Sequence, residues 1–248
     1  MKICFITSLF SNSYEEADKP ITFEKLNKYD YYLFTNLDKN NFNTSWDIIQ
    51  INNLDEINKC NSFITKSRYI KFLGWKYIKE ILKKKYDTIF YCDSTYEPKI
   101  NINWEDYSNK IINSKSGIFQ TLHKRNIKDE LIKIITSEKD TYNKIDVTKN
   151  FLIKNKMPYN YRITENTAFG YDPNNKKLIE YFNHFWELYS KETLTHRDQI
   201  IWGFICWKYN IYPIIYKKNE KDLKKRRIHN YLFKYNKNSV GFNEHTYT

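Results

Sequence analysis

The sequence predicts an α/β protein built on a mixed, mostly parallel sheet flanked by helices. Ile89-Phe90-Tyr91-Cys92 is an apolar run of strand length, rich in β-branched and aromatic residues. A strand apolar on both faces is typical of a parallel sheet covered by helices. Three short apolar segments and one long amphipathic segment precede it, and this succession is how an α/β sheet begins. The run also ends on Asp93. In open α/β sheets, ligands sit beyond the carboxyl ends of the strands.

Ile3 to Thr7 is the first expected strand, Tyr31 to Asn36 the second and Trp46 to Ile51 the third. From about Ser62 to Lys84, the residues Ile70, Leu73, Tyr77, Ile78, Ile81 and Leu82 recur at three- and four-residue steps. A long helix with one apolar face is expected there. Lys83, Lys84 and Lys85 would form its last turn and complement the negative helix end. After the strand ending at Asp93, Gly117 to Gln120 is a further expected strand and Ile127 to Thr136 a helix. Asn166 to Gly170 is expected as a short strand, and Asp172-Pro173-Asn174-Asn175 as a turn or helix start. Leu178, Phe182, Phe185, Trp186 and Tyr189 give the next helix its apolar face. Ile201, Phe204 and Ile205 do so for a helix after Arg197-Asp198-Gln199, and Tyr212 to Tyr216 is the last expected strand. No repeat or linker divides the chain. One domain is expected over 1–216, with a basic tail over 217–248 packing on or near the site.

With 248 residues the chain can bury a proper core. An 18% aromatic content argues against disorder, because Tyr, Phe and Trp supply large areas to bury. The formal net charge of +12 favours anionic partners: nucleotide phosphates, acidic glycans, nucleic acid or an anionic membrane. The one purely basic block, Lys224-Lys225-Arg226-Arg227, fits a solvated helix face, a phosphate contact or a nucleic-acid patch. Cys4, Cys60, Cys92 and Cys206 show neither zinc-site spacing nor a disulfide framework, which points to a reducing compartment. The apolar N-terminus is too short for a signal segment, and no stretch reaches the length of a membrane span. A cytoplasmic protein is expected.

Asp93 is a hard oxygen ligand at a strand end, placed to hold Mg²⁺ or Mn²⁺ against a substrate diphosphate. The plainer alternative is that it opens the turn Asp93-Ser94-Thr95.

Four blocks point further. Tyr32-Leu33-Phe34-Thr35-Asn36 is followed by Trp46-Asp47-Ile48-Ile49. Lys66-Ser67-Arg68-Tyr69-Ile70-Lys71 is followed by the strand ending at Asp93. His123-Lys124-Arg125 is followed by Glu130, and Arg197-Asp198-Gln199 by Trp207-Lys208. In this order and spacing they resemble nucleotide-sugar glycosyltransferases of the GT-A type. The pattern is most similar to a plant and bacterial hexosyltransferase family that includes proteins linked to seed-coat mucilage. The resemblance spans roughly residues 30–216. It departs at Asp93-Ser94-Thr95, where GT-A enzymes usually carry Asp-x-Asp. It departs again at Tyr171-Asp172-Pro173-Asn174, where the relatives carry Arg-x-His-Asn.

The resemblance implies a GT-A-like, Rossmann-type fold. It implies transfer of a hexose from a nucleotide-diphosphate sugar, with UDP expected, to a glycan or glycoprotein acceptor, assisted by Mn²⁺ or Mg²⁺. Asp93 would bind the metal, with His229 or His245 closing its shell from the tail. Thr35, Asn36, Lys66, Arg68, Lys71 and Thr95 would face the nucleotide donor. His123, Arg125, Glu165, Asn166, Arg197 and Gln199 would contact sugar or acceptor. Asp198 would be the base for the acceptor hydroxyl or a sugar-hydroxyl ligand. The plainer alternatives are a solvated helix face for Lys66, Arg68 and Lys71, and a helix N-terminal residue for Asp198. Two rival functions remain beside the enzyme. One is a nucleic-acid-binding module using tyrosines as stacking platforms, which the apolar setting of the aromatics disfavours. The other is an inactive GT-A scaffold.

Overall fold

The computed structural model describes residues 1–215 and 229–239. Its strands are Ile3–Leu9 (β1), Asp30–Thr35 (β2), Asp47–Gln50 (β3), Thr88–Cys92 (β4), Tyr96–Pro98 (β5), Ile118–Asn126 (β6), Arg162–Tyr171 (β7), Ile214–Ile215 (β8) and Phe233–Tyr235 (β9). Its helices are Asp55–Asn58 (α1), Phe63–Glu80 (α2), Trp104–Ile112 (α3), Ile127–Thr136 (α4), Tyr142–Lys154 (α5), Lys176–Tyr189 (α6), Asp198–Lys208 (α7) and His229–Leu232 (α8).

Seven strands form the main sheet in the order β3-β2-β1-β4-β7-β6-β8. The first four are mutually parallel, and β7 alone runs against its neighbours β4 and β6. The mixed, mostly parallel α/β sheet expected from the sequence is therefore present. The reversal of β7 has a consequence for the site. Cys92 pairs with Ala168, so residues 162–167 of β7 project past the carboxyl end of β4. The second half of β6 accompanies them there, because Thr121 pairs with Glu165 and Asn126 with Arg162.

Alternation along the strands sends side chains into two cores. Cys4, Ile6, Tyr32, Phe34, Ile89 and Tyr91 face the helical layer of α2, α6 and α7. There Phe72 packs against Phe185, with ring centroids 4.0 Å apart, and against Phe182 and Trp202. Ile3, Phe5, Leu33, Phe90 and Cys92 face α3 and the strand β9. Phe5 stacks on Tyr31 at 5.0 Å and meets the edge of Trp104 at 4.8 Å. Each such pair contributes about 0.5–1.5 kcal/mol beyond its buried area.

The long helix begins as expected, with the Ser62 hydroxyl accepting from the Ile64 N–H at 3.1 Å. It ends earlier than expected, at Glu80. Lys83 adopts a left-handed φ of 55°, and the Lys84 N–H closes back on the Ile78 carbonyl at 3.1 Å. The three lysines thus lie beyond the helix, and Lys84 turns its ammonium to Asp30 and Tyr32. Strands β6 and β7 run longer than their apolar stretches. Their polar halves pair across register shifts and form part of the site edge.

Strand β9 pairs antiparallel with β5, and the Asn236 N–H donates to the Thr95 carbonyl at 2.8 Å. The tail segment 229–239 is thereby tied two residues past Asp93. The block 224–227 and His245 lie outside the described residues.

Gly170 faces Phe90 across the β4–β7 pair, and a Cβ there would lie 2.5 Å from Phe90 Cε1 and 2.8 Å from Ile111 Cδ1. Gly170→Ala is expected to lower unfolding stability by about 1–3 kcal/mol through overpacking, read from the urea midpoint. An unchanged midpoint would show that the two layers do not approach so closely.

Candidate active site

Arg68 and Lys71 stand three residues apart and so share one face of α2. That face meets the carboxyl end of β4 and the start of α7. Lys71 Nζ lies 3.0 Å from Asp93 Oδ1 and 3.1 Å from Asp198 Oδ2, and Arg68 Nε lies 3.1 Å from the same Asp198 oxygen. Lys71 and Asp198 are each 2% exposed, whereas Asp93 is 36% exposed and faces the surface. Lys66, two residues before Arg68, is turned away and sets its ammonium 5.0 Å over the Phe63 ring.

Tyr91 completes the group. Two residues before Asp93, it points to the same side of the strand and donates to Asp93 Oδ1 at 2.9 Å. Its ring lies 4.9 Å from the Lys71 ammonium. Burial, followed by the Asp93 charge, pushes the Tyr91 hydroxyl well above the usual tyrosine range, so it stays protonated. Burial also pushes the Asp198 carboxyl up, but Lys71, Arg68 and Arg197 together outweigh it and hold the group below the usual carboxylate range. Burial opposes the Arg68 charge, and Asp198 then leads the groups that raise it above the usual arginine range.

A second cluster sits where the polar halves of β6 and β7 meet α4. Glu130, 1% exposed, accepts from Arg125 Nε at 2.6 Å and from Arg197 Nη2 at 3.4 Å. His123 Nδ1 meets the Arg125 backbone, 3.1 Å from its nitrogen and 3.4 Å from its carbonyl oxygen, and the ring turns Nε2 toward two carboxylates. That nitrogen lies 3.5 Å from Glu165 Oε1 and 3.7 Å from Glu130 Oε2. The sequence candidates His123, Arg125, Glu165 and Arg197 are thus brought together, with Glu130 between them. Glu130 is not one of the sequence candidates, although it closes the block that opens with His123-Lys124-Arg125.

The segment entering α7 is pinned from several sides. Asp140 Oδ2 accepts from the Thr195 hydroxyl at 2.7 Å and the His196 N–H at 2.6 Å. Burial and then the Lys144 charge hold His196 below the usual histidine range, so its neutral Nε2 accepts from Lys144 Nζ at 2.6 Å. Arg197 and Asp198 therefore leave a fixed backbone.

Asn166 is fully buried, and its Oδ1 accepts from Gln120 Nε2 at 2.9 Å. Gln120 Oε1 in turn accepts from Trp202 Nε1 at 3.0 Å, one helical turn after Gln199. Asn166 Nδ2 and Gln199 Oε1 are buried without a hydrogen-bond partner among the described residues. Thr35 and Asn36 lie at the carboxyl end of β2. The Thr35 hydroxyl accepts from the Leu37 N–H at 3.0 Å, and Asn36 exchanges two hydrogen bonds with the Ser11 backbone.

A divalent cation of the Mg²⁺ or Mn²⁺ type needs several oxygen ligands. Among the described residues, no group of three His, Cys, Asp or Glu side chains could hold one. Asp93 and Asp198 are both paired with Lys71, and Asp93 also accepts from the Tyr91 hydroxyl. His245 and the side chain of His229 lie outside the described residues. The described donor set does not fit the implied metal.

The fold has a solved counterpart. The apo form of mouse xyloside xylosyltransferase 1 matches with a TM-score of 0.50 and 8% identity, over 88% of this chain and 86% of that one. The chain carries a glycosyltransferase-like, Rossmann-type α/β fold. No family model matches the chain, and no curated protein matches it in sequence. Among the described residues, no helix is long and apolar enough to cross a membrane.

Removing Lys71 takes away the largest of the charges that hold the buried Asp198 carboxylate, leaving Arg68 and Arg197. Lys71→Met is expected to cost about 3–5 kcal/mol in chemical denaturation, because breaking a buried pair leaves an uncompensated charge. A cost near zero would show that the pair is hydrated.

Asp198 also predicts a pH dependence. Its native pKa lies below the ordinary 3.8, so its ionic contribution is complete above 3.8 and lost as pH falls through the native value. The melting-temperature gap between wild type and Asp198→Asn is expected to stay constant from neutral pH down to about 5 and to narrow below about 4. A gap that widens on acidification would reverse the assignment.

Proposed function

We propose that the chain is a glycosyltransferase that moves a hexose from a nucleotide-diphosphate sugar, with a UDP-sugar favoured, to a glycan or glycoprotein acceptor. The observation that carries the proposal is the Arg68–Lys71–Asp93–Asp198 cluster at the carboxyl end of β4, on a glycosyltransferase-like fold. In open α/β sheets that edge is where ligands bind.

In sugar transfer, the bond from the anomeric carbon to the diphosphate oxygen breaks and the diphosphate leaves with the electron pair. The acceptor oxygen forms the new bond, and its proton must leave. Charge grows on the departing diphosphate, so preorganised cations beside it lower the barrier. Arg68 suits that role, since a guanidinium grips phosphate oxygens in a planar fork. Asp198 suits the second of its two expected roles. A carboxylate held low by neighbouring cations is a good acceptor of hydrogen bonds from sugar hydroxyls and a poor acceptor of their protons. The departing phosphate, with a pKa of about 6, is the better base.

Among the described residues, Asn166 Nδ2 is a donor without a partner and Gln199 Oε1 an acceptor without one. A hydroxyl accepts and donates at once, so a sugar would satisfy both kinds of group. Glu165, His123, Arg125 and Arg197 line the same edge and are assigned to sugar or acceptor. Thr35, Asn36 and Thr95 are assigned to the nucleotide side.

Thermal unfolding with UDP-, GDP- and CMP-linked compounds tests the function. One nucleotide class is expected to raise the melting temperature. At about 100 times Kd the stabilisation is about 2.7 kcal/mol by mass action. The same compounds should release nucleotide diphosphate on incubation with an acceptor pool. No shift with any nucleotide would sink the proposal.

A further inference from the structure

We infer that the donor diphosphate is neutralised by fixed side-chain cations, Arg68 above all, and that its binding needs no divalent metal. The inference rests on the glycosyltransferase function and goes beyond it by assigning the charge partner.

Asp93 is the carboxylate that directly follows β4, and its Oδ1 already pairs with Lys71 Nζ at 3.0 Å and accepts from the Tyr91 hydroxyl at 2.9 Å. A cation bound to that oxygen would stand against an ammonium with nowhere to go. Lys71 is 2% exposed and is held from its other side by Asp198 at 3.1 Å. Like charges at such range repel strongly where water is excluded. The ligand count agrees. A hard cation held against a substrate diphosphate uses one or two protein carboxylates, and the two beside Lys71, Asp93 and Asp198, are both paired with its ammonium.

Arg68 has the complementary property. Asp198 lies 3.1 Å from its Nε as an ion-pair partner, with no hydrogen bond from that nitrogen among the described residues, and 20% of the side chain remains exposed. The terminal nitrogens of a guanidinium can take two phosphate oxygens together. Asp198 therefore keeps the Arg68 charge at this edge, and Lys71 balances Asp93 and Asp198 so that the cleft does not repel an anion.

This arrangement reverses the usual meaning of Asp93. Where a carboxylate carries a metal, its loss removes donor binding. Here its charge opposes the diphosphate, and its removal releases the Lys71 field toward the ligand. Asp93→Asn keeps the shape and the hydrogen-bonding oxygen.

The test is calorimetric titration of the full-length chain with UDP, or with whichever nucleoside diphosphate stabilises it. The titration is run after dialysis against EDTA and repeated with Mn²⁺ and with Mg²⁺. Expected are binding in EDTA, a Kd unchanged by either metal, and a several-fold tighter Kd for Asp93→Asn. Arg68→Gln is expected to weaken binding in EDTA by about tenfold or more, the loss typical of a hydrogen bond to a charged group. Circular dichroism melts of both variants confirm that they are folded. Binding that appears only with metal and disappears in Asp93→Asn would overturn the inference and leave the glycosyltransferase function standing. Absence of binding in every condition would remove that function and the inference with it.

Discussion

A single buried ammonium organises this protein. Lys71, on helix α2, touches the residue that directly follows β4 and the first residue of α7. Taking an ammonium out of water costs several kcal/mol, and only close carboxylates can offset it. Asp93 and Asp198 supply that offset, and neither could sit so near the other without a cation between them. The tie fixes the distance between a strand end and a helix start, which are the two places an α/β fold uses to build sites. The aromatic packing behind it, Phe72 against Phe185 and Trp202, leaves α2 little room to shift.

The second buried charge works from the other flank. Glu130 gathers Arg125 and Arg197, and Arg197 directly precedes Asp198. The start of α7 is thus held by Lys71 and Arg68 on one side and by Glu130 on the other. Asp140 and Tyr189 fix Thr195 and His196 just before it. None of these groups lies on a long loop. Geometry set by helices and strands is held within a narrower range than geometry set by loops, which is what electrostatic preorganisation requires.

Much of the fold was readable from residue pattern because hydrophobic periodicity reports burial directly. Strands β1, β2 and β4 and helices α2, α6 and α7 all bury continuous apolar sets, and each appears near its expected position. The elements that escaped notice lack that signature. Helix α5 carries Tyr142, Val147 and Ile153 on its exposed side, so its pattern does not single out one buried face. The second half of β6, His123 to Asn126, is polar because it borders the site. The early end of α2 follows from a left-handed lysine, a conformation usually marked by glycine or asparagine. In the site, Arg68, Lys71 and Asp198 stood out by type and spacing, but that one lysine bridges both carboxylates is a long-range fact that no local pattern encodes. Tyr91 could have been found from its alternate position before Asp93. Ser8, whose hydroxyl lies 3.3 Å from that of Tyr91, left no signal.

The antiparallel strand explains why this chain needs two charge clusters rather than one. In a purely parallel sheet, every strand would bring only its carboxyl end to the ligand edge. Because β7 enters from that edge, Arg162 to Thr167 reach it before they pair with β4, and they meet the far half of β6 there. The site edge therefore has two walls. The wall from α2 and β4 carries cations that suit a diphosphate. The wall from β6, β7 and α4 carries a histidine, carboxylates beside it, and the Asn166 amide with a donor that has no partner among the described residues. Phosphate recognition rewards fixed positive charge, and hydroxyl recognition rewards paired donors and acceptors. A donor that joins a diphosphate to a sugar presents both demands a few ångströms apart. For the proposed glycosyltransferase, the two walls, meeting at the start of α7, would divide those demands between them.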